Sequence, residues 1–271
     1  MVCHVPGAML QPVTTVPPPR ALPRIGSVPY LNAVPLTHGL ENDTIFLPPS
    51  LLGPELRSGR LDAALLSVTE ALFHEDLDLL DGPGIVSRGP VFSVGVAHRV
   101  PLERAAEIHV DTASCTSVNL LRVFLAQRGL SPRLVPLADY RDAPALDAVM
   151  LIGNPAIEFR RAGHAHAWWD FGETWWREQR LPFVYAAWVL RRVPGLEPLR
   201  QRLRTAARGG VAALPAIIAA RTEYDAAFRR DYLGGWVQFD IDDAARAGVA
   251  RFAECLRALG GAPVFPPRWL S

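Results

Sequence analysis

The chain has 271 residues, 49 % hydrophobic and 20 % charged, a globular composition long enough for two lobes. Its 28 basic and 27 acidic residues leave a formal charge of +1, which argues against nucleic acid as the main partner, since duplex binding rests on clustered positive charge. Every basic residue is Arg. Without lysine there is no Schiff base, hence no conventional pyridoxal-phosphate or class I aldolase chemistry, and no Walker A nucleotide site.

Cys3, Cys115 and Cys255 are too few and too scattered for a disulfide framework or a zinc site, and they suit a reducing cytoplasm. No apolar run approaches 18 residues, so no membrane span is expected. The first 23 residues hold six of the 25 prolines. They lack a charged segment followed by a continuous apolar one, so they read as an extended or disordered tail and not as a signal peptide.

Structure is expected from Arg24. A strand over 24–28 is broken by Pro29, and a turn leads to a helix starting near Leu36, with Pro35 at its first position. A short helix over 54–59 precedes an apolar strand over 61–68, and Thr69 can cap a helix to Phe73. Residues 85–97 read as two strand pieces kinked at Arg88-Gly89-Pro90. Next come a strand over 107–111, a small polar loop over 112–117 and a helix over 118–128 closed by Gly129. A strand over 147–152, a helix over 156–161 and a strand over 181–191 follow. The rest reads as helical, over 196–208, 211–223, 226–232 and 241–259. Alternating strands and helices predict an α/β fold with mainly parallel sheets.

The loop from Asp111 to Ser117 is the best local signal for a site. Backbone N–H groups at a helix N-terminus, joined by several hydroxyls, suit a carboxylate or phosphate; plain capping by Ser114 or Thr116 is the competing reading. Asn32 could orient a ligand or support an Asx turn. Ser93 has no His at a revealing spacing, so no Ser-His-Asp triad can be read. His164 and His166 lack the third ligand of a zinc motif and read as loop histidines. The tryptophans at 168, 169, 175 and 176 read as core or lobe-interface aromatics. Gly82-Pro-Gly84 lacks the third glycine of a dinucleotide fingerprint. No cofactor site is evident.

Five short motifs, in order, carry a resemblance. Ser27-Val-Pro-Tyr-Leu-Asn-Ala-Val-Pro-Leu36, Gly89-Pro-Val-Phe-Ser-Val94, Ser114-Cys-Thr-Ser117, Leu151-Ile-Gly153, and Asp170-Phe-Gly-Glu-Thr-Trp175 followed by Leu181-Pro-Phe-Val-Tyr-Ala-Ala-Trp188 resemble the chorismate dehydratases of the futalosine route to menaquinone. The resemblance implies a two-lobed type II periplasmic-binding-protein-like fold with a central cleft and two crossovers. It implies conversion of chorismate to 3-[(1-carboxyvinyl)oxy]benzoate with loss of water, without cofactor or metal. By the same resemblance Asn32 and Ser93 are the catalytic pair. Ser114, Cys115, Thr116 and Ser117 form a carboxylate-binding loop, with Tyr30, Gly153 and Asn154 as further substrate contacts. Two positions depart from the family's pattern: Asn154 stands where Asp is common, and Gln179-Arg180 stands where Thr-Gly is common.

The expected division is a tail over 1–23, a first lobe of 24–98 plus 191–271, and a second lobe of 99–190, with crossovers near His98 and Arg191. Arg88 is a candidate contact for a second substrate carboxylate, against a solvated surface arginine. Three other functions use the same fold class: a non-catalytic binder of small carboxylates, the later dihydroxynaphthoate synthase of the same route, and the effector domain of a transcription regulator. The synthase opens on a motif like Ser-Pro-Cys-Pro-Asn-Asp, unlike the Tyr-Leu-Asn here. No helix-turn-helix or basic stripe supports the regulator.

Overall fold

The structure is a computed structural model and describes residues 23–271, so most of the proline-rich 1–23 segment lies outside the described residues. The chain opens on β1 (Ile25–Ser27) and β2 (Thr44–Phe46), a parallel pair. Parallel neighbours need a crossover, and α1 (Pro49–Arg57) supplies one from β2 to β3 (Ala63–Ser67), on the other side of β1. Residues Ala63 to Leu66 are all buried, which accounts for an apolar run without alternation. After α2 (Val68–Phe73) comes the long strand β4 (Leu77–Ser87).

The chain then enters a second sheet. β5 (Val94–His98), β6 (Glu107–Val110), α3 (Cys115–Gln127), β7 (Arg133–Pro136), β8 (Ala148–Ile152), α4 (Gly153–Arg161) and β9 (Ala167–Asp170) give the strand order β7-β6-β8-β5-β9. Helix α5 (Phe171–Gln179) leads back to β10 (Phe183–Arg191), which inserts antiparallel between β3 and β4 of the first sheet. Helices α6 (Glu197–Ala212), α7 (Leu214–Ala220) and α8 (Ala226–Asp231), strand β11 (Gln238–Ile241), helix α9 (Asp243–Leu259) and strand β12 (Trp269–Leu270) complete the chain. The first sheet runs β11-β4-β10-β3-β1-β2, with β12 also on β4.

Three expectations need correction. The sheets are mixed: among the described residues, five strand pairings are parallel and five antiparallel. The antiparallel ones centre on β5, β10 and β11. The chain also changes sheets about one strand earlier than expected at each crossing. β5 pairs with β8 and β9, and β10 with β3 and β4, so the passages are residues 88–93 and 180–182, not His98 and Arg191. The kink at Arg88-Gly89-Pro90 is the first passage itself. Finally, the helix expected from Leu36 is a 3₁₀ turn over Leu31–Leu36, ended by Thr37, whose hydroxyl donates to the carbonyls of Ala33 and Val34.

The tryptophans expected in the core divide between two elements. Trp168 and Trp169 lie on β9. Trp175, on α5, is fully buried and meets Phe183 and Phe252 edge-on at 5.1 and 5.9 Å, tying the second passage to β10 and α9. Gly172 is required where α5 touches the first passage: a Cβ there would collide with the carbonyl of Gly89 and lie 2.7 Å from Ser87 Oγ.

At the end of α5, Arg180 adopts a left-handed conformation, φ 57°, with its amide bonded to the carbonyl of Trp176. This is the position where the resembled family commonly has glycine, and Arg180 is exposed. A left-handed residue with a Cβ is strained. Arg180→Gly is expected to stabilise the fold by about 0.5–1 kcal/mol, a rise of roughly 1–4 °C in a thermal melt.

Candidate active site

The first passage between the sheets is held by one carboxylate. Asp170 is 6 % exposed. It accepts from the amides of Val91 at 3.1 Å and Phe92 at 2.9 Å, and caps α5 by accepting from the amide of Glu173 at 3.0 Å. Between them Phe92 is forced to φ 66°. The Phe92 ring stacks on Trp236 at 4.7 Å, and the Arg160 guanidinium lies over it at 3.7 Å while donating to the Phe92 carbonyl. The reversal leaves Val91 and Ser93 lining a cavity that Phe92 between them does not line. Gly153 then ties the passage to α4 by donating its amide to the carbonyl of Ser93 at 2.8 Å.

The cavity lies between the two sheets and encloses about 590 Å³, open mouth included. It brings together Tyr30, Asn32, Ser93, Ser114, Ser117 and Gly153 from among the residues singled out in the sequence. Ser114 caps α3, its hydroxyl accepting from the amide and the hydroxyl of Ser117 at 3.2 and 3.1 Å. The first-turn N–H groups of α3 have no partner within the helix and give that end its positive character. Two hydroxyl contacts join the sheets beside it: Ser67 to Ser114 at 3.4 Å and Thr69 to Thr116 at 3.2 Å. Gly153 takes φ 58°, and a Cβ there would stand 3.1 Å from the Tyr30 ring, so its place in the wall requires glycine.

Three of the singled-out residues do not line the cavity. Thr116 is fully buried behind the loop, bonded to Thr69, whose amide also donates to it. The Cys115 thiol accepts from Asn119 of its own helix, and burial pushes its pKa up, away from a reactive thiolate. Asn154 stands on the first turn of α4, next to Gly153 but off the wall. Arg88 is likewise elsewhere, donating to Gln238 and Asp242. His166 faces the carbonyl of Leu146 at 2.9 Å and His164 packs on Phe159. Among the described residues no group of three His, Cys, Asp or Glu is placed to hold a metal ion.

Among the described residues lining the cavity none is Asp, Glu, His, Cys or Arg. The polar groups there are hydroxyls, one amide and the helix end. Burial and the nearby Asp111 push Tyr30 up to about 12, so it stays a neutral phenol. Burial raises Asp111 as well, against the bonds it accepts from the amide of Ala113 and the hydroxyl of Tyr140. Sequence reasoning missed Tyr185 and Ser67 on the wall, Asp170 as the anchor of the passage, and Tyr232 behind it. Only Asp170 had a local signal, the Asp-x-x-Glu spacing of a helix cap. Asp170→Ala is expected to cost about 3 kcal/mol and to lower the thermal midpoint by roughly 6–12 °C, with Asp170→Asn in between, because two buried amides and a helix cap lose their acceptor.

A family model described as menaquinone biosynthesis matches residues 23–258. The chain is 32 % identical over 268 residues to the chorismate dehydratase of Thermus thermophilus, covering 90 % of this chain and 98 % of that one. A solved protein of Archaeoglobus fulgidus matches with a TM-score of 0.69 at 14 % identity, covering 87 % of this chain and 96 % of its own. The periplasmic aliphatic sulphonate binding protein SsuA from Escherichia coli matches with a TM-score of 0.62 at 17 % identity, covering 92 % and 93 %. At those identities the structures show the fold alone, a periplasmic-binding-protein-like α/β architecture. No described helix is long and apolar enough to cross a membrane. By the extent of the family match and of the bacterial relative, the chain belongs to the menaquinone biosynthesis family.

Proposed function

We propose that this protein is a chorismate dehydratase, a hydro-lyase that converts chorismate to 3-[(1-carboxyvinyl)oxy]benzoate and water on the futalosine route. The observation that carries the reading is the character of the cavity. It holds Asn32, Ser93 and the capped N-terminus of α3 together, and no charged side chain among its described lining residues. An enzyme that had to generate a strong base would need a titratable group there. An elimination that aromatises its own substrate does not.

The reaction breaks the C3–H and C4–O bonds and forms the aromatic ring. The proton from C3 and the hydroxyl from C4 leave together as water. The thermodynamic drive is in the ring, so the protein's tasks are to hold a dianion in its reactive conformation and to exclude water. The N-terminus of α3, with Ser114 and Ser117, receives one carboxylate. Asn32 and Ser93 grip the departing hydroxyl. A substrate carboxylate takes the C3 proton, the role left open by a wall without acid or base. Tyr30 and Gly153 shape the floor under the ring. Cys115 and Cys255 are free thiols, which fits work in a reducing cytoplasm.

Purified protein incubated with chorismate, without added metal or cofactor, is expected to release a product one water lighter with a benzoate absorbance, followed by mass and ultraviolet spectra. Persistence of chorismate, together with calorimetric binding of another small carboxylate, would replace the enzyme with a binding protein. Asn32→Ala is expected to fold and to lose about 10²–10³ in kcat; near-full activity removes Asn32 from the mechanism. The wild-type rate is expected to be flat between about pH 6 and 9, because the wall has no group titrating there. A limb near 6.5 would instead assign a histidine base.

A further inference from the structure

The hydroxyl of Tyr232 lies one layer behind the cavity, bonded at once to both polar residues on which the proposed dehydration rests. Asn32 Nδ2 donates to Tyr232 Oη at 3.2 Å, and Tyr232 Oη donates to Ser93 Oγ at 2.8 Å. Tyr232 is 1 % exposed and does not line the cavity. It opens a π-helical turn over Tyr232–Trp236, and its ring stacks on Phe228 at 5.7 Å.

The direction of these bonds sets what each partner has left to offer. A phenol has one hydrogen. Given to Ser93, it leaves the Tyr232 oxygen able only to accept, which it does from the Asn32 amide nitrogen. Ser93 Oγ is thereby occupied as an acceptor, and its own hydrogen is left for the cavity. The amide nitrogen of Asn32 is occupied as a donor, and its Oδ1 is buried without a partner. Both residues line the cavity, so Ser93 Oγ–H is left as a donor and Asn32 Oδ1 as an acceptor with no partner in the protein. That is the complement of a single alcohol, which accepts through its oxygen and donates through its hydrogen.

We propose that Tyr232 is a positioning residue that fixes Ser93 as donor and Asn32 as acceptor, so that the pair selects a substrate by its ring hydroxyl and then assists that hydroxyl's departure. The inference rests on the dehydratase reading. The donor from Ser93 strengthens as the C4–O bond lengthens and charge gathers on oxygen. Once water has left, the aromatic product has no hydroxyl to satisfy either group, so the product is held more weakly than the substrate. Burial holds the Tyr232 phenol well above its ordinary pKa, which keeps its proton in place at neutral pH.

The test is a cycle of wild type, Tyr232→Phe, Ser93→Ala and the double variant on chorismate. Tyr232→Phe removes one oxygen and keeps the ring stack. It is expected to lower kcat roughly 10–10²-fold with KM within about threefold of wild type. Added to Ser93→Ala, it is expected to cost less than about threefold more, since its effect passes through Ser93. An unchanged kcat in Tyr232→Phe, or the same loss in the Ser93→Ala background, overturns the assignment. A second readout needs no variant. The product is expected to inhibit wild type with a constant at least about tenfold above the KM for chorismate, and equal constants would refute the matched pair. If wild type releases no water from chorismate, the dehydratase reading itself fails; an active wild type with an indifferent Tyr232→Phe sinks the relay alone.

Discussion

The site depends on a buried carboxylate that does not itself line the cavity. Asp170 ends β9, starts α5, and binds the two amides of the passage that changes sheets. Those bonds offset the cost of a left-handed Phe92, and the left-handed turn sets Val91 and Ser93 on the cavity side. A serine on a free loop would sample several positions. Here its carbonyl is taken by Gly153, its hydroxyl by Tyr232, and its two preceding amides by Asp170. Arg160, 4.0 Å from that carboxylate and laid over the Phe92 ring, balances the buried charge.

The same economy of charge marks the cavity. Tyr30 is held neutral and Asp111 is drawn toward its neutral form, while the two arginines at the first passage are engaged elsewhere, Arg160 with Phe92 and Arg88 with Gln238 and Asp242. What remains for an anion is a helix end and hydroxyls. Dipoles fixed by the fold need no reorganisation when charge moves, and in a space shielded from water they act at short range. A cavity of this kind suits a reaction in which the substrate brings its own charges and its own driving force.

Local patterns carried a good part of this. The strand at Ala148–Ile152 and the helix at Cys115–Gln127 follow from an apolar run and a cap, and the loop between Asp111 and Ser117 was readable as a helix N-terminus. Alternating strands and helices predict parallel pairing, yet the pattern looks alike whether a strand joins its own sheet or crosses to another. β5 and β10 lie in the opposite sheets from those their neighbours in sequence suggested. Within the site, Asn32 and Ser93 were picked out by family motif, not by chemistry. Tyr232 was invisible, since its two bonds span 200 and 139 residues and its own neighbourhood reads as a helix tail. Cys115 and Thr116 show the converse: a contiguous motif on a helix turn sends successive side chains in different directions, and only Ser114 and Ser117 reach the wall.

The insertion of β10 between β3 and β4 also sets the order in which the chain can be assembled. The second sheet is one continuous stretch, from Val94 to Asp170, and all its partners are present once β9 has been synthesised. The first sheet has a gap at its centre until Phe183–Arg191 arrives, and Ala186 must then find Ser67 far back along the chain. The first sheet therefore rests on pairings far apart in the chain, β10 with β3 and β4 and then β11 and β12 with β4, whereas every pairing of the second sheet lies within one continuous segment.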